Sequence, residues 1–145
     1  KERKAVSAEE ALDFALSSMT NDADSAARRA AVNLVHATLP YVEKSSAYRI
    51  YESMADLAEK ENNWDVLESA AATVYKLEQS SSWNDIRPHA DKLYKAFSRA
   101  AGQASSEYAG LSSRSALLIG TLRVRQRIEI ERALDLSLPP PPLPR

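Results

Sequence analysis

The sequence predicts an all-α protein, an up-and-down bundle of five or six helices followed by an extended proline-rich C-terminal arm. Three observations support this fold class. Only three glycines occur among the 145 residues, and none lies in the first hundred. Alanine, leucine, glutamate, lysine and arginine, all good helix formers, are abundant. Apolar residues recur at spacings of three and four, in segments bounded by proline or by serine, asparagine and aspartate.

The first two helices are predicted from their termini and their apolar spacing. Ser7 and Glu10 form a capping box, in which the Ser7 side chain accepts a backbone hydrogen bond and Glu10 reaches back. The second helix is predicted to start at Asn21–Asp22 and to end at Pro40, which cannot continue it. The residues expected on the two buried faces are Ala8, Leu12, Ala15, Met19, Ala27, Ala31, Leu34 and Thr38.

The third and fourth helices are predicted as a pair separated by a short polar break. The third runs roughly from Tyr41 to Glu61, and the asparagines at 62–63 interrupt the chain. The fourth starts at Trp64 and closes at the three serines of 80–82. The residues expected to face the core are Ala47, Tyr51, Met54, Ala58, Leu67, Ala71 and Val74.

The fifth helix has the most regular apolar pattern of the chain. Asp85 is its expected N-cap, because Pro88 is then in the first turn, where proline is tolerated. Spacings that alternate between four and three indicate a seam between helices at small crossing angles. The seam residues are Ile86, Ala90, Leu93, Phe97, Ala100 and Ala104. A sixth helix, capped by Ser105–Ser106, is expected to bury Leu111, Leu118 and Leu122.

Residues 123–132, RVRQRIEIER, alternate polar and apolar side chains as a β-strand would. A strand needs a neighbour for its backbone groups, and no other segment of the chain alternates in this way. In a helix, Arg125 pairs with Glu129 and Arg127 with Glu131 at i,i+4 spacing. We therefore predict a helix, with a strand added to another protein's sheet as the alternative. The helical interpretation places an inward stripe at Leu117, Val124 and Ile128.

The chain is divided into a helical bundle over residues 1–135 and an arm over residues 136–145. The arm ends in SLPPPPLPR, a composition typical of polyproline II, which has no internal hydrogen bonds. The arm would therefore need contacts with a neighbouring surface to adopt one conformation. The chain does not begin with methionine, which suggests a mature form after removal of a targeting segment or a trimmed piece. The longest apolar stretch, around residues 116–119, is too short to span a bilayer.

No chemistry of a known catalytic type is predicted. Nineteen basic and twenty acidic residues leave a net charge of −1, which does not favour nucleic acid as a partner. There is no cysteine, and neither His36 nor His89 has a ligand-spaced companion for a metal. So few glycines exclude the phosphate-binding loops. We expect no catalytic residue, no cofactor and no metal, and hence a protein that is not an enzyme.

The predicted binding surface for a partner lies at the C-terminal end. Arginines cluster there, and the apolar side chains of the arm have no core of their own to join. The alternative is that these arginines lie on an ordinary solvent-exposed helix face and bind no partner. The residues expected to contact a partner are Arg123, Arg125, Arg127, Ile130, Leu136, Leu138, Pro139, Pro140, Pro141, Pro142 and Leu143. The expected partners are other protein subunits of a larger assembly, which could itself lie at a membrane.

Two stretches resemble known families. DKLYKAF (91–97) followed by SSEYAGLSSRSALL (105–118) is similar to the last helices of the PsbQ family, and the resemblance covers residues 64–119. That family consists of extrinsic four-helix-bundle proteins of the thylakoid lumen, so the resemblance implies a subunit docked on photosystem II. Residues 46–79 resemble one tetratricopeptide repeat, broken at 62–63 with Ala58 and Ala71 at close-packing positions. That resemblance implies the alternative, an adaptor that binds short peptides.

Overall fold

The computed structural model describes residues 7–103 and 108–137, and within these ranges the chain forms helices and turns with no strand. The long helices share a length of about four turns, except for the last, which has 29 residues. The helices are α1 (Ala8–Asn21), α2 (Ser25–Thr38), α3 (Ala47–Lys60), α4 (Trp64–Glu78), α5 (Trp83–Ile86), α6 (Ala90–Gln103) and α7 (Ala109–Ser137). The predicted all-α class is therefore confirmed for the described residues.

Short polar side chains start the helices, as the sequence leads one to expect. The Ser7 hydroxyl accepts from the Glu10 amide at 3.1 Å, so the predicted N-cap of α1 is confirmed. Asn63 caps α4 by accepting from the amides of Asp65 and Val66. The start of α2 was predicted too early, because Asp24 rather than Asn21 or Asp22 supplies the capping oxygen.

The predicted fifth helix is interrupted near its start. Ser82, not Asp85, provides the N-cap, and a single turn, α5, follows it. Residues Arg87–His89 then form a 3₁₀ turn that contains Pro88. Proline has no backbone N–H to donate and its ring crowds the preceding turn, so the α-helical hydrogen bonding restarts only at Ala90.

The helices pack as three hairpins that lie side by side. The helices within each pair α1–α2, α3–α4 and α6–α7 contact each other. The loops joining α1 to α2 and α3 to α4 span only residues 22–24 and 61–63, which makes the helices in these pairs antiparallel. Between hairpins, α3 contacts both α1 and α6, while α4 contacts both α2 and α7. The result is two layers, α1–α3–α6 and α2–α4–α7, in which α4 rather than α3 is the main neighbour of α2.

One core fills the space between the two layers. The predicted buried faces of α3, α4 and α6 are confirmed, with Tyr51, Leu67 and Phe97 among the fully buried side chains. Ala104, the last residue of the predicted seam, lies outside the described residues. His89 is also buried, and its ring lies edge-on to Tyr48.

Residues 123–132 are helical and belong to α7, as predicted. Both expected i,i+4 ion pairs form, Arg125 with Glu129 and Arg127 with Glu131. The predicted inward stripe is wrong, because Leu117, Val124 and Ile128 are among the exposed apolar side chains. The buried face of α7 is formed by Leu111, Leu118 and Leu122, as predicted for the sixth helix, together with Ser115.

Helix α7 reaches at least two residues beyond the predicted end of the bundle at residue 135. Helix α7 continues through Ser137, so Leu136 is a helical residue rather than the first residue of the arm. The rest of the predicted arm, residues 138–145, lies outside the described residues. No helix in the described ranges is both long and apolar enough to cross a membrane.

Candidate partner-docking surface

The last twelve residues of α7 extend beyond the body of the protein. We call residues 126–137 the α7 projection. Leu122 is the last residue of α7 that the structure describes as buried, and among residues 126–136 only Glu129 is even half-buried. At 1.5 Å per residue the projection is about 18 Å long. A helical end of this length presents nearly its whole circumference to the surroundings.

The projection carries several large apolar side chains. Ile128, Ile130 and Leu136 are exposed by 44%, 53% and 83%, and Leu134 is exposed by 56%. Single exposed apolar residues are ordinary on protein surfaces, whereas several on one short helical segment make that segment a candidate contact surface. Ile130 and Leu136, both predicted to bind a partner, are therefore placed where a partner can reach them.

Arg125 fixes the base of the projection to the body. Its guanidinium donates to Glu78 Oε1 at 2.9 Å and to the Ser81 carbonyl oxygen at 2.7 Å. A cation at this position also compensates the exposed carbonyls at the C-terminal end of α4. Arg125 was predicted to contact a partner, but the structure occupies it within the chain and gives it a positioning role.

The other two predicted arginines differ in their surroundings. Arg123 donates to the Tyr94 hydroxyl, and its guanidinium carbon lies 5.0 Å from the centre of the tyrosine ring. Arg127 is 83% exposed and pairs only along its own helix, with Glu131. Arg127 is therefore available to a partner, whereas Arg123 is shared with α6. Leu138, Pro139, Pro140, Pro141, Pro142 and Leu143, also predicted contacts, lie outside the described residues.

A shallow apolar groove runs from α4 toward the projection, and we call it the α4–α7 groove. It consists of two adjoining cavities of about 530 and 490 Å³, which share Leu117 as a lining residue. Ala72, Tyr75 and Gln79 line the α4 side of the first cavity. The α7 side of the second cavity is lined by Leu117, Gly120, Thr121, Val124 and Ile128. The groove thus leads directly into the exposed face of the projection.

The far end of the groove is positively charged. Lys76 and Arg114 line it beside His36. Burial and the positive charges of Lys76 and Arg114 together lower the pKa of His36, so its imidazole is neutral at neutral pH. Arg114 is partly neutralised by Glu68 at 3.4 Å, and the exposed Lys76 contributes the remaining positive charge.

The largest of the cavities described here is polar and lies away from α7. It has a volume of about 570 Å³ and is lined by residues from α1, α2 and α3. Arg28 donates to both carboxylate oxygens of Glu61 at 2.8 and 2.9 Å, and Glu61 also accepts from the Asn63 amide. Burial by itself would raise the pKa of Glu61, but these hydrogen bonds outweigh it and lower the pKa. A carboxylate that stays ionised and fully bonded suits a structural role rather than proton transfer.

No group of three or more histidine and acidic side chains in the described ranges is placed to hold a metal ion. Two buried polar atoms, His89 Nε2 and Ser115 Oγ, have no hydrogen-bond partner within the described part of the chain. His89 lies on the 3₁₀ turn before α6 and Ser115 lies on α7, so the two atoms belong to different elements.

Sequence reasoning missed the groove, because its two walls come from α4 and α7, which are about thirty residues apart in the chain. Predicting the groove would have required Leu117 and Val124 to be recognised as exposed, whereas both were assigned to the core. Phe14 on α1, 69% exposed, was also missed. Comparison with known proteins found no matching family model, no similar curated protein and no similar solved structure.

Proposed function

We propose that this chain is a non-catalytic helical subunit that docks on a larger protein assembly through the α7 projection. The observation that carries the proposal is the exposure of Ile128, Ile130 and Leu136 on a helical end that extends past the core. Burying such side chains contributes about 25 cal/mol per Å² of apolar surface, which is a sufficient driving force for association. The resemblance to the PsbQ family nominates photosystem II as the first assembly to examine.

The geometry of α7 supports this function because contacts with the body of the protein hold the projection at its base. Arg125 joins the helix to the C-terminal end of α4, and Leu118 and Leu122 bury the turns that precede the projection. A docking element held in this way loses less conformational freedom on binding than a loop would.

The experiment compares variants in an extract of the native source, separated by size under non-denaturing conditions. Ile130→Asp places a charge in the centre of the proposed contact, and we expect the chain to move from the large assembly to its own small size. Phe14→Asp is the matched control, because Phe14 is an apolar residue on a different helix and is even more exposed, by 69% against 53% for Ile130. It should remain in the assembly. Co-migration of Ile130→Asp with the assembly would refute the proposal.

An adaptor that binds short peptides is the second candidate, favoured by the α4–α7 groove between stacked helical hairpins. Gly120→Arg separates the two functions, because it fills the groove without changing the projection. Peptide binding by an adaptor requires an open groove, so release of the chain by Gly120→Arg but not by Ile130→Asp would favour the adaptor.

A further inference from the structure

The α4–α7 groove has a third wall at its far end, because His36 of α2 lines the same cavity as Lys76 and Arg114. Helix α4 forms the floor of this cavity, with Ala72 and Tyr75 among its lining residues. Since α4 lies between α2 and α7, the cavity is a trough that crosses the outer face of that layer. Its volume of about 530 Å³ is within the range of pockets that hold small molecules.

The α7 wall of the groove is one continuous stripe of side chains. Its members are Arg114, Leu117, Thr121, Val124 and Ile128. Their spacings of three and four residues place them on a single face of the helix. The distance along the helix from Arg114 to Val124 is about 15 Å. The stripe therefore begins at a cation and continues as exposed apolar surface.

The positive charge that a ligand can use is confined to the end of the groove near α2. Arg114 shares its charge with Glu68 at 3.4 Å, whereas Lys76 is exposed and has no carboxylate within ion-pair distance in the described part of the chain. At the other end, Arg125 is already bonded to Glu78. The groove thus offers one cationic end and one apolar end.

The walls of the groove suit an apolar chain better than a peptide. They are helical, so their backbone N–H and C=O groups are already bonded within the helices. A peptide in the groove would need partners for its own backbone groups, and the walls provide few uncharged polar side chains. These are His36, Tyr75, Gln79 and Thr121. A hydrocarbon chain has no polar group to satisfy and can cover Leu117 and Val124 without that cost.

We propose that the α4–α7 groove binds a free long-chain carboxylate. The carboxylate lies beside Lys76 and Arg114, and the hydrocarbon chain runs along α7 over Leu117 toward Val124. This inference goes beyond the docking function and does not depend on it, because Ile130 lines neither cavity of the groove. It is an alternative to the peptide adaptor, since both would occupy the same groove.

The first test is isothermal titration calorimetry of the purified full chain with three probes. Dodecanoate carries the anionic group and the chain, dodecyltrimethylammonium carries the same chain with the opposite charge, and acetate carries the anionic group alone. The two long-chain probes are kept below the concentrations at which they form micelles. We expect dodecanoate to bind more tightly than either of the others by a factor of about ten or more. Absence of dodecanoate binding, or equal binding of the two long-chain probes, would overturn the proposal.

Substitutions then test the two ends of the groove separately. Lys76→Glu reverses the charge at the cationic end, and Leu117→Asp places a charge at the residue that both cavities share. Both side chains are exposed, and circular dichroism establishes that the variants remain folded. Each should weaken dodecanoate binding by a factor of about ten or more.

Matched controls make the same changes of charge outside the groove. Lys95→Glu lies on α6 and Phe14→Asp on α1, and both positions are exposed. Neither should change the affinity for dodecanoate by more than a factor of about two. If Lys76→Glu and Leu117→Asp bind dodecanoate as tightly as these controls, the groove is not its site and the proposal is overturned.

The position of the carboxylate can be measured through His36. Burial and the positive charges of Lys76 and Arg114 lower the pKa of His36, and an anion bound beside them offsets that repulsion. The pKa of His36 should therefore rise when dodecanoate is bound, as measured by a proton NMR titration. The signals of His89, which packs against Tyr48 of α3, should not respond to the ligand. An unchanged pKa of His36 in the loaded chain would overturn the proposed orientation.

The outcomes also separate this proposal from the proposed function. Ile130→Asp should bind dodecanoate as tightly as the wild type even when it is released from its assembly, so either inference can fail alone. If the wild type does not bind dodecanoate and Gly120→Arg releases it from the assembly, the groove holds a protein segment and the carboxylate proposal is overturned. Binding to vesicles that contain phosphatidylglycerol, without binding of free dodecanoate, would also overturn it.

Discussion

At the scale of single residues, the ion pair between Arg28 and Glu61 links α2 to the residue that ends α3. The side chain of Glu61 is only 3% exposed, and that of Arg28 is 20% exposed. The guanidinium also donates to the carbonyl oxygens of Asp22 and Ala23, in the turn before α2. Removing one member of such a pair lowers the free energy of unfolding by more than the intact pair contributes to it, because the remaining charge stays buried without a partner.

We predict that Glu61→Gln lowers the free energy of unfolding by about 2–3 kcal/mol at pH 7. The pKa of Glu61 is lowered in the folded state, so its stabilisation is complete above the unfolded pKa and is lost as the pH falls through the folded pKa. The stability difference between wild type and variant should therefore shrink below about pH 4. Urea unfolding of wild type and variant at a series of pH values measures this difference in stability. Glu59→Gln, at an exposed carboxylate, should change stability by less than about 0.5 kcal/mol.

At the scale of helices, α7 shows how much of the structure the sequence could predict. Its helical state and both ion pairs follow from spacings of four residues, which are visible in the sequence. The burial of Leu118 and Leu122 was also predicted, whereas the second apolar stripe at Leu117 and Val124 was wrongly assigned to the core. Only the positions of α4 and α6 decide between the two stripes, and that information is not local.

The same limit explains the assignment of Arg125. Its pairing with Glu129 is local and was predicted, whereas its contacts with Glu78 and Ser81 join residues more than forty positions apart. By contrast, the seam of α6 was predicted correctly from Ala90 to Ala100, because α6 presents a single apolar face. The start of that segment was missed since Ser82 and Asp85 are both acceptable caps by sequence.

We predict that Arg125→Ala lowers the free energy of unfolding by about 2–3 kcal/mol, because it leaves the Glu78 carboxylate buried without its cation. Arg127→Ala is the matched control, since it breaks an i,i+4 pair in the same helix that is exposed to solvent. Arg127→Ala should lower the free energy of unfolding by no more than about 0.5 kcal/mol. Denaturant unfolding of both variants checks this, and equal effects would show that Arg125 does not anchor the helix.

We also predict that Phe97→Ala lowers the free energy of unfolding by about 3–5 kcal/mol, because the side chain is fully buried between the two layers and leaves a cavity. The matched substitution Phe14→Ala, at a side chain that is 69% exposed, should change it by less than about 1 kcal/mol. A small effect at Phe97 would mean that α6 turns a different face to the core.

At the scale of the whole molecule, the buried core and the proposed contact surface lie in different parts of the chain. All buried residues of the described ranges lie between Leu12 and Leu122. Residues 123–136 add no buried side chain to this core. The core can therefore be complete without the segment that we propose as the contact surface.

We predict that deletion of residues 138–145 leaves the helical content and the melting temperature of the isolated chain nearly unchanged. Association with the larger assembly should weaken, because these residues were predicted to contact the partner. Circular dichroism and the same size separation in native extract measure the two effects. Loss of several degrees in melting temperature would show that the tail packs on its own domain, and unchanged association would remove the tail from the docking surface.

The length of α7 past its last packed turn has a consequence for its dynamics. Helices of about a dozen residues are marginally stable in water when nothing packs against them. Backbone amides of residues 130–137 should then exchange with deuterium far faster than those near Leu118, although all belong to one continuous helix. Slowing of that exchange when a neighbour is added would map the contact amide by amide, without any substitution in the chain.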